Sequence, residues 1–300
     1  MSAGASPVKS KSLVEKIADA VLYEGYILYP YRPSSVKNQQ RWNFGVVCPE
    51  SYATAHKGTE SSTMQTECLL EAEAQTTLDV RIRFLHLVQR EQWQEAVERE
   101  VVIPRIRIAD QRVSFSFPGM PDRTQQALTG ELEISFSKSD QSVVKVSLVI
   151  RNLTAFDDAD KRSRDDALLH SFVSTHTILE AQQGKFVSLL DPPADYKAAA
   201  SACLNLGTYP VLVGDESSRC CVLSSPIILY DYPQIAPQSA GDLFDGTEID
   251  EILTLRILSL SDDEKNEIRN ADELARRLLE RTESLSAEQL MNLHGLMKKT

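Results

Sequence analysis

Two adjacent thiols, Cys220 and Cys221, are the most unusual reactive groups in the chain, and His170, His176 and Asp231 are the residues that could activate them. A cysteine nucleophile needs a depressed pKa and a base within hydrogen-bond reach. This set defines one functional reading, a thiol-dependent enzyme or metal chaperone. A plainer reading stands beside it. Adjacent residues on a strand point to opposite faces, so the pair cannot grip one metal without distortion, and one buried plus one half-buried cysteine is expected. His170 and His176 lie six positions apart, which on a helix leaves them about 120° from facing each other. They do not reproduce the i, i+4 histidines of a zinc-binding H-E-x-x-H helix.

The remaining ligand types are scattered. Cys68, His86, Cys203 and His294 share no short spacing, and the five cysteines (48, 68, 203, 220, 221) contain no C-x-x-C. The acidic run DLFDGTEIDE (242–251) lacks the alternate-residue ligands of a calcium loop and reads more simply as acids at a helix start. No G-x-S-x-G, P-loop or G-x-G-x-x-G occurs. No metal and no cofactor is implied.

A second kind of chemistry is recognition. YEGYILYPYRPSSVKNQQRW (23–42) places four of the nine tyrosines within nine residues, followed by Arg32, Lys37 and Arg41. On a strand these tyrosines divide between two faces, which favours core filling over a stacking platform. The basic connection between aromatic strands still offers a contact for an acidic partner. Tyr29, Tyr31, Arg32, Lys37 and Arg41 are therefore candidate partner-binding residues, together with Asp242, Asp245, Glu248 and Glu251 of the acidic run.

The totals narrow the partner class. A formal charge of −11 over 300 residues argues against nucleic acid or an anionic membrane surface. Residues 1–45 carry six Lys/Arg against three Asp/Glu, and residues 241–300 carry eight against fourteen. Oppositely charged ends of this kind raise a third reading, a structural protein that self-assembles into a homo-oligomer. No apolar run is long enough for a membrane helix, the start lacks a signal peptide's apolar stretch, and the odd cysteine count suits reduced thiols. A cytoplasmic protein is expected.

The elements that must position these residues are mostly strands. Leu78, Val80, Ile82 and Phe84 alternate with Asp79, Arg81 and Arg83, and alternation recurs over 98–108, 112–117, 130–136 and 142–152. QTECLLEAE (65–73) fits helix or strand equally. THTILEAQQGKFVSLL (175–190) suggests a hairpin turning at Gln183-Gly184, and 209–233 a second hairpin. Capping boxes at Ser12/Glu15 and Ser261/Glu264, and a cap at Ser163, open helices. Thr247 and Ser286 are further caps. The expected fold is α+β: a mainly antiparallel sheet or sandwich, with a short N-terminal helix and a helical C-terminal segment. Residues 1–11 form a tail, 12–260 a β-rich body, and 261–300 a helical segment packed on it.

The blocks VLYEGYILYPYRPSSVKNQQRWNFGVV (21–47), QTECLLEAE (65–73), SLLDPP (188–193), YPVLVGD (209–215), LSSPIILYDYPQIAP (223–237) and DLFDGTEIDEILTLR (242–256) together resemble a bacterial family encoded beside high-affinity nickel-iron hydrogenases. The likeness runs from about residue 20 to the C-terminus. It implies a non-catalytic accessory protein that helps assemble, mature or scaffold a hydrogenase, with hydrogenase subunits as partners. The family supplies no catalytic residues to carry over, and the chain lacks the cysteine spacing of an iron-sulfur protein.

Overall fold

The computed structural model describes residues 12–24, 43–56, 60–90, 94–122, 124–138, 143–234, 250–271 and 273–286. Its frame is an eight-stranded antiparallel sheet built on one very long strand, β1 (Thr63–Gln89). On one side β1 pairs along its length with β6 (Val173–Val187). On the other it pairs first with β5 (Val143–Asn152) and then with β2 (Gln94–Arg107). With β3 (Gln111–Phe117), β4 (Leu128–Lys138), β7 (Tyr209–Leu212) and β8 (Cys221–Ser225), the order is β3-β4-β5-β1-β6-β8-β7, and β2 joins β1 off that path. The expected α+β fold is thus present.

A break in β1 lets one strand serve two neighbours. The β1–β6 register shifts between Ala72 and Thr77, and Gln183 opposite adopts φ +56°. The Thr76 hydroxyl donates to the Gln183 carbonyl and so holds the excursion. Gln183-Gly184 therefore lies inside one continuous strand, where the sequence suggested a hairpin turn, and the bulge is in β1, whose residues 73–76 stand against Gln183 alone. Extra residues of this kind bend β1 without ending its pairing with β6.

Beyond the bulge, Leu78, Val80, Ile82 and Phe84 face the main core, as their alternation predicts. Phe84 meets Phe117 edge-on at 5.5 Å and Phe172 at 4.8 Å, while Phe115 lies 5.6 Å from Phe172. Gly130 on β4 makes this cluster possible. A Cβ there would sit 2.7 Å from Phe172 and collide with the Phe115 ring.

The helices cover the opposite faces. Helix α1 (Leu13–Tyr23) starts at the Ser12/Glu15 capping box. It lays Ile17, Ala18 and Val21 on Ile178, Val211, Val213, Cys221 and Leu223. Short helices α2 (Glu50–Ala55), α3 (Arg164–Leu168) and α4 (Lys197–Ser201) fill loops, with α3 opened by Ser163 and Asp166. Three further helices follow: α5 (Asp250–Leu258), α6 (Asp262–Arg269) and α7 (Glu273–Glu283). Leu253, Ile257, Ile268, Ala275, Leu278 and Leu279 of these helices share one cluster with Leu85 and Leu87 of β1. Among the described residues, no helix is long and apolar enough to cross a membrane.

Candidate protein-contact surface

The residues proposed for thiol chemistry occupy separate environments. Cys221 is buried against α1, and burial pushes its thiol up to about 12. Cys220 beside it is half-buried and 3.3 Å from the Ser218 hydroxyl, the split that strand alternation predicts. His170 follows α3, where its Nδ1 lies 3.0 Å from the Asp166 carbonyl and burial lowers its pKa. His176 is on β6 with no exposure. Its Nδ1 lies 3.1 Å from the Ser174 carbonyl, Nε2 has no partner, and burial brings the ring to about 4.

Asp231 is held by Ser188 and by the Leu212 amide. Among the described residues, no hydrogen bond joins either cysteine to His170, His176 or Asp231, and no three His, Cys, Asp or Glu side chains converge as a metal site. Cys220 does line a cleft of about 610 Å³, with Glu71, Glu73, Lys185 and Tyr196 among its walls.

Asp231 does its work at the sheet margin. Its carboxylate accepts from the Leu212 amide at 2.8 Å and from the Ser188 hydroxyl at 2.5 Å. Ser188 in turn accepts the amides of Leu190 and Asp191 at 3.1 and 2.9 Å. The Tyr232 amide donates to the Leu212 carbonyl at 2.7 Å, with Tyr232 in a left-handed conformation at φ +55°. Together these bonds occupy the outer edge of β7 and fix the chain that leaves β8.

That chain, Ile227–Tyr230, has two faces. Ile227 and Leu229 pack on the cluster beneath α1. Alternation then turns Ile228 and Tyr230 outward, 93% and 80% exposed.

The segment leading into β7 adds to the same margin. Glu67 on β1, only 6% exposed, takes a bond from Lys145 at 3.0 Å and from the Leu204 amide at 2.8 Å. Leu206 exchanges backbone bonds with Gln65. A buried hydroxyl chain, Thr66–Ser224–Thr208, ties the start of β7 to β1 and β8 with contacts of 2.7 and 2.8 Å. So fixed, Leu204, Leu206 and Tyr209 remain exposed, as does Leu190 beside Ser188.

Six of the thirteen exposed large apolar residues among those described therefore belong to this one margin. Exposed apolar groups concentrated on a rigid frame mark contact surfaces, whereas scattered ones do not. Apolar side chains held outward by hydrogen-bonded carboxylates and buried hydroxyls can exclude water from a partner without ordering themselves first.

Sequence reasoning placed Asp231 as a candidate base and 209–233 as a hairpin, and missed Glu67, Ile228 and Tyr230 as parts of one surface. The shared parity of Ile228 and Tyr230 was the available signal. The contacts expected from the sequence, Tyr29, Tyr31, Arg32, Lys37, Arg41, Asp242, Asp245 and Glu248, lie outside the described residues, as do Thr247 and His294. Glu251 falls within α5. Compared with known proteins, the chain matches no family model and no curated protein.

Proposed function

We propose that this chain is a non-catalytic accessory protein that acts through protein contacts in the assembly, maturation or scaffolding of a nickel-iron hydrogenase. The observation that carries the contact reading is the margin of Ile228, Tyr230, Tyr209, Leu190, Leu204 and Leu206, held outward by Asp231 and Glu67. The hydrogenase assignment rests on the ordered sequence blocks that resemble the hydrogenase-linked family.

Affinity purification from the native host tests both parts when wild-type is compared with Ile228→Asp and Tyr230→Ala. Recovery of hydrogenase subunits with the wild-type and their loss with both variants is expected. A different partner lost in the same way would retain the surface and remove the hydrogenase assignment. Equal recovery with all three proteins would remove the surface.

The cleft at Cys220 favours a second reading, a thiol-dependent enzyme or metal chaperone. Thiol-reactivity mapping and metal analysis of the purified protein address it. That reading requires Cys220 to react well ahead of the other four cysteines, or a stoichiometric metal to be lost in Cys220→Ser.

A further inference from the structure

The sheet has three margins, and they are protected unequally. An exposed strand edge offers a row of unpaired amides and carbonyls, so proteins block such edges with proline, charge, bulges or covering chain. At β7 the edge carries Pro210 and is closed by Asp231 and Tyr232. At β2 it carries Pro104, a kink at Arg105 with φ +55°, a register shift against β1, and the exposed carboxylates Glu98 and Glu100. Strand β3 has no proline, kink or register shift, and its one charge, Arg112, is paired with Glu133. QRVSFSF contains no proline or glycine and pairs with β4 residue for residue from Gln111 to Phe117 without a shift. Among the described residues, β4 is its only strand partner.

The side chains of β3 say what would complete it. Val113, Phe115 and Phe117 point to the core yet stay only partly buried, while Arg112, Ser114 and Ser116 face out. Arg112 is already neutralised by Glu133 at 3.1 Å, and Glu133 is shared with Arg151 at 2.6 Å.

Antiparallel pairing of this strand with its own copy, centred on Ser114, sets Val113 opposite Phe115, Arg112 opposite Ser116, and Ser114 opposite Ser114. Val113 and Phe115 then meet each other, Phe117 falls opposite Gln111, and no two like charges face each other across the axis. Aromatic to β-branched pairs of this kind stabilise antiparallel sheets, and directly opposed like charges destabilise them. A two-fold arrangement requires this self-complementarity.

We propose that β3 is a homodimerisation edge, through which a second copy of this chain pairs antiparallel about Ser114 and continues the sheet across the two-fold axis. This goes beyond the accessory role and does not depend on the β7 margin. It also differs from assembly through oppositely charged termini, because it uses backbone bonds of β3.

The test uses the full chain. Sedimentation across a concentration series is expected to show a monomer–dimer equilibrium. Ser114→Glu places like charges opposite each other at an exposed position, so it should raise the dimer Kd about tenfold or more while leaving the fold intact. Ser114→Cys should cross-link to itself on oxidation, since opposed residues bring their Cβ atoms close to disulfide range. Ser116→Cys, which faces Arg112 across the axis, should not. Mass mapping of the linked peptide identifies the position independently of the five native cysteines. A monomer at every concentration would overturn the proposal. So would a dimer indifferent to Ser114→Glu in which Ser114→Cys fails to cross-link to itself.

Discussion

The two ends of the main sheet expose different parts of the polypeptide. At the β7 end the backbone is closed by Asp231 and Tyr232, and what faces solvent is side chain: Ile228, Tyr230 and Tyr209. At the β3 end the outward side chains are small or already paired, and what remains is a strand edge with no second strand partner among the described residues. A surface of protruding side chains selects a partner by shape, while a bare edge accepts any strand of compatible alternation. The two ends therefore suit different partners, a distinct protein at β7 and a like strand at β3.

The comparison breaks most readily at the core beneath β3. Phe84 has no exposure and touches Phe115, Phe117 and Phe172. Phe84→Ala should cost about 3–5 kcal/mol of stability in denaturant unfolding. Hydrogen exchange should rise more in β3 and β4 than in β7 and β8. Equal loosening at both ends would mean that the ends are not separately supported.

Acid is the next largest perturbation, and it reaches the ends through different histidines. His86 Nε2 lies 2.8 Å from the Gln126 carbonyl near the β3–β4 connection, and Nδ1 accepts from Arg99 at 3.3 Å. Burial is the main cause that lowers its pKa to about 4, with the Arg99 cation adding to it. His176, near Asp19 of α1 and Arg83 of β1, is lowered to about 4, again mainly by burial. A histidine with a depressed folded pKa stays neutral in the native state while the unfolded chain takes up the proton. Stability is therefore full above about pH 6.5 and falls as pH drops toward 4, by on the order of 3 kcal/mol per fully shifted group. Unfolding measured between pH 7 and 4 should show this slope, and His86→Gln and His176→Gln should each flatten part of it. A flat profile in the wild-type would contradict the burial of both rings.

Much of the β3 half was legible in sequence because its strands have one wet face. Leu78 to Phe84 and the runs that became β2 to β5 alternate visibly, and their pairing follows. The first half of β1 was not legible for the opposite physical reason. Cys68, Leu69 and Leu70 are buried in succession between the core and α4, so no alternation survives to separate strand from helix. Gln183-Gly184 misled because a glycine after a polar pair has the same local signature in a turn and in a strand that faces a bulge. Only pairing across to Ala72 distinguishes them.

The β7 surface was half legible. Parity groups Ile228 with Tyr230, but which parity faces water depends on α1 covering the other, and that contact spans some two hundred residues of chain. The capping boxes at Ser12 and Ser261 were fully legible, since each is a contact within four residues, while Ser163 was legible as a cap without its reciprocal partner Asp166.

A smaller effect is expected from opening the β7 edge. Asp231→Ala removes the acceptor of the Leu212 amide and the Ser188 hydroxyl, and lost bonds of this type cost about 1–3 kcal/mol. The diagnostic readout is local. Exchange at the Leu212 and Tyr232 amides should accelerate well before β6 is affected, and the edge should then gain the tendency to self-associate that β3 is proposed to have. Retained protection at both amides would show that backbone packing alone closes this edge.

The smallest effect on stability should accompany the largest effect on binding. Ile228 and Tyr230 contribute little to the core, so Ile228→Asp and Tyr230→Ala are expected to change unfolding free energy by no more than about 0.5 kcal/mol. The same exposure makes them able to bury fully against a partner, where truncation of an aromatic or aliphatic anchor commonly costs about 2 kcal/mol or more. A melting curve that stays put while co-purification fails is the signature of a contact surface. If stability falls by several kcal/mol instead, Ile228 and Tyr230 are holding the β8 exit in place, and the two ends of the sheet differ only in how their edges are closed.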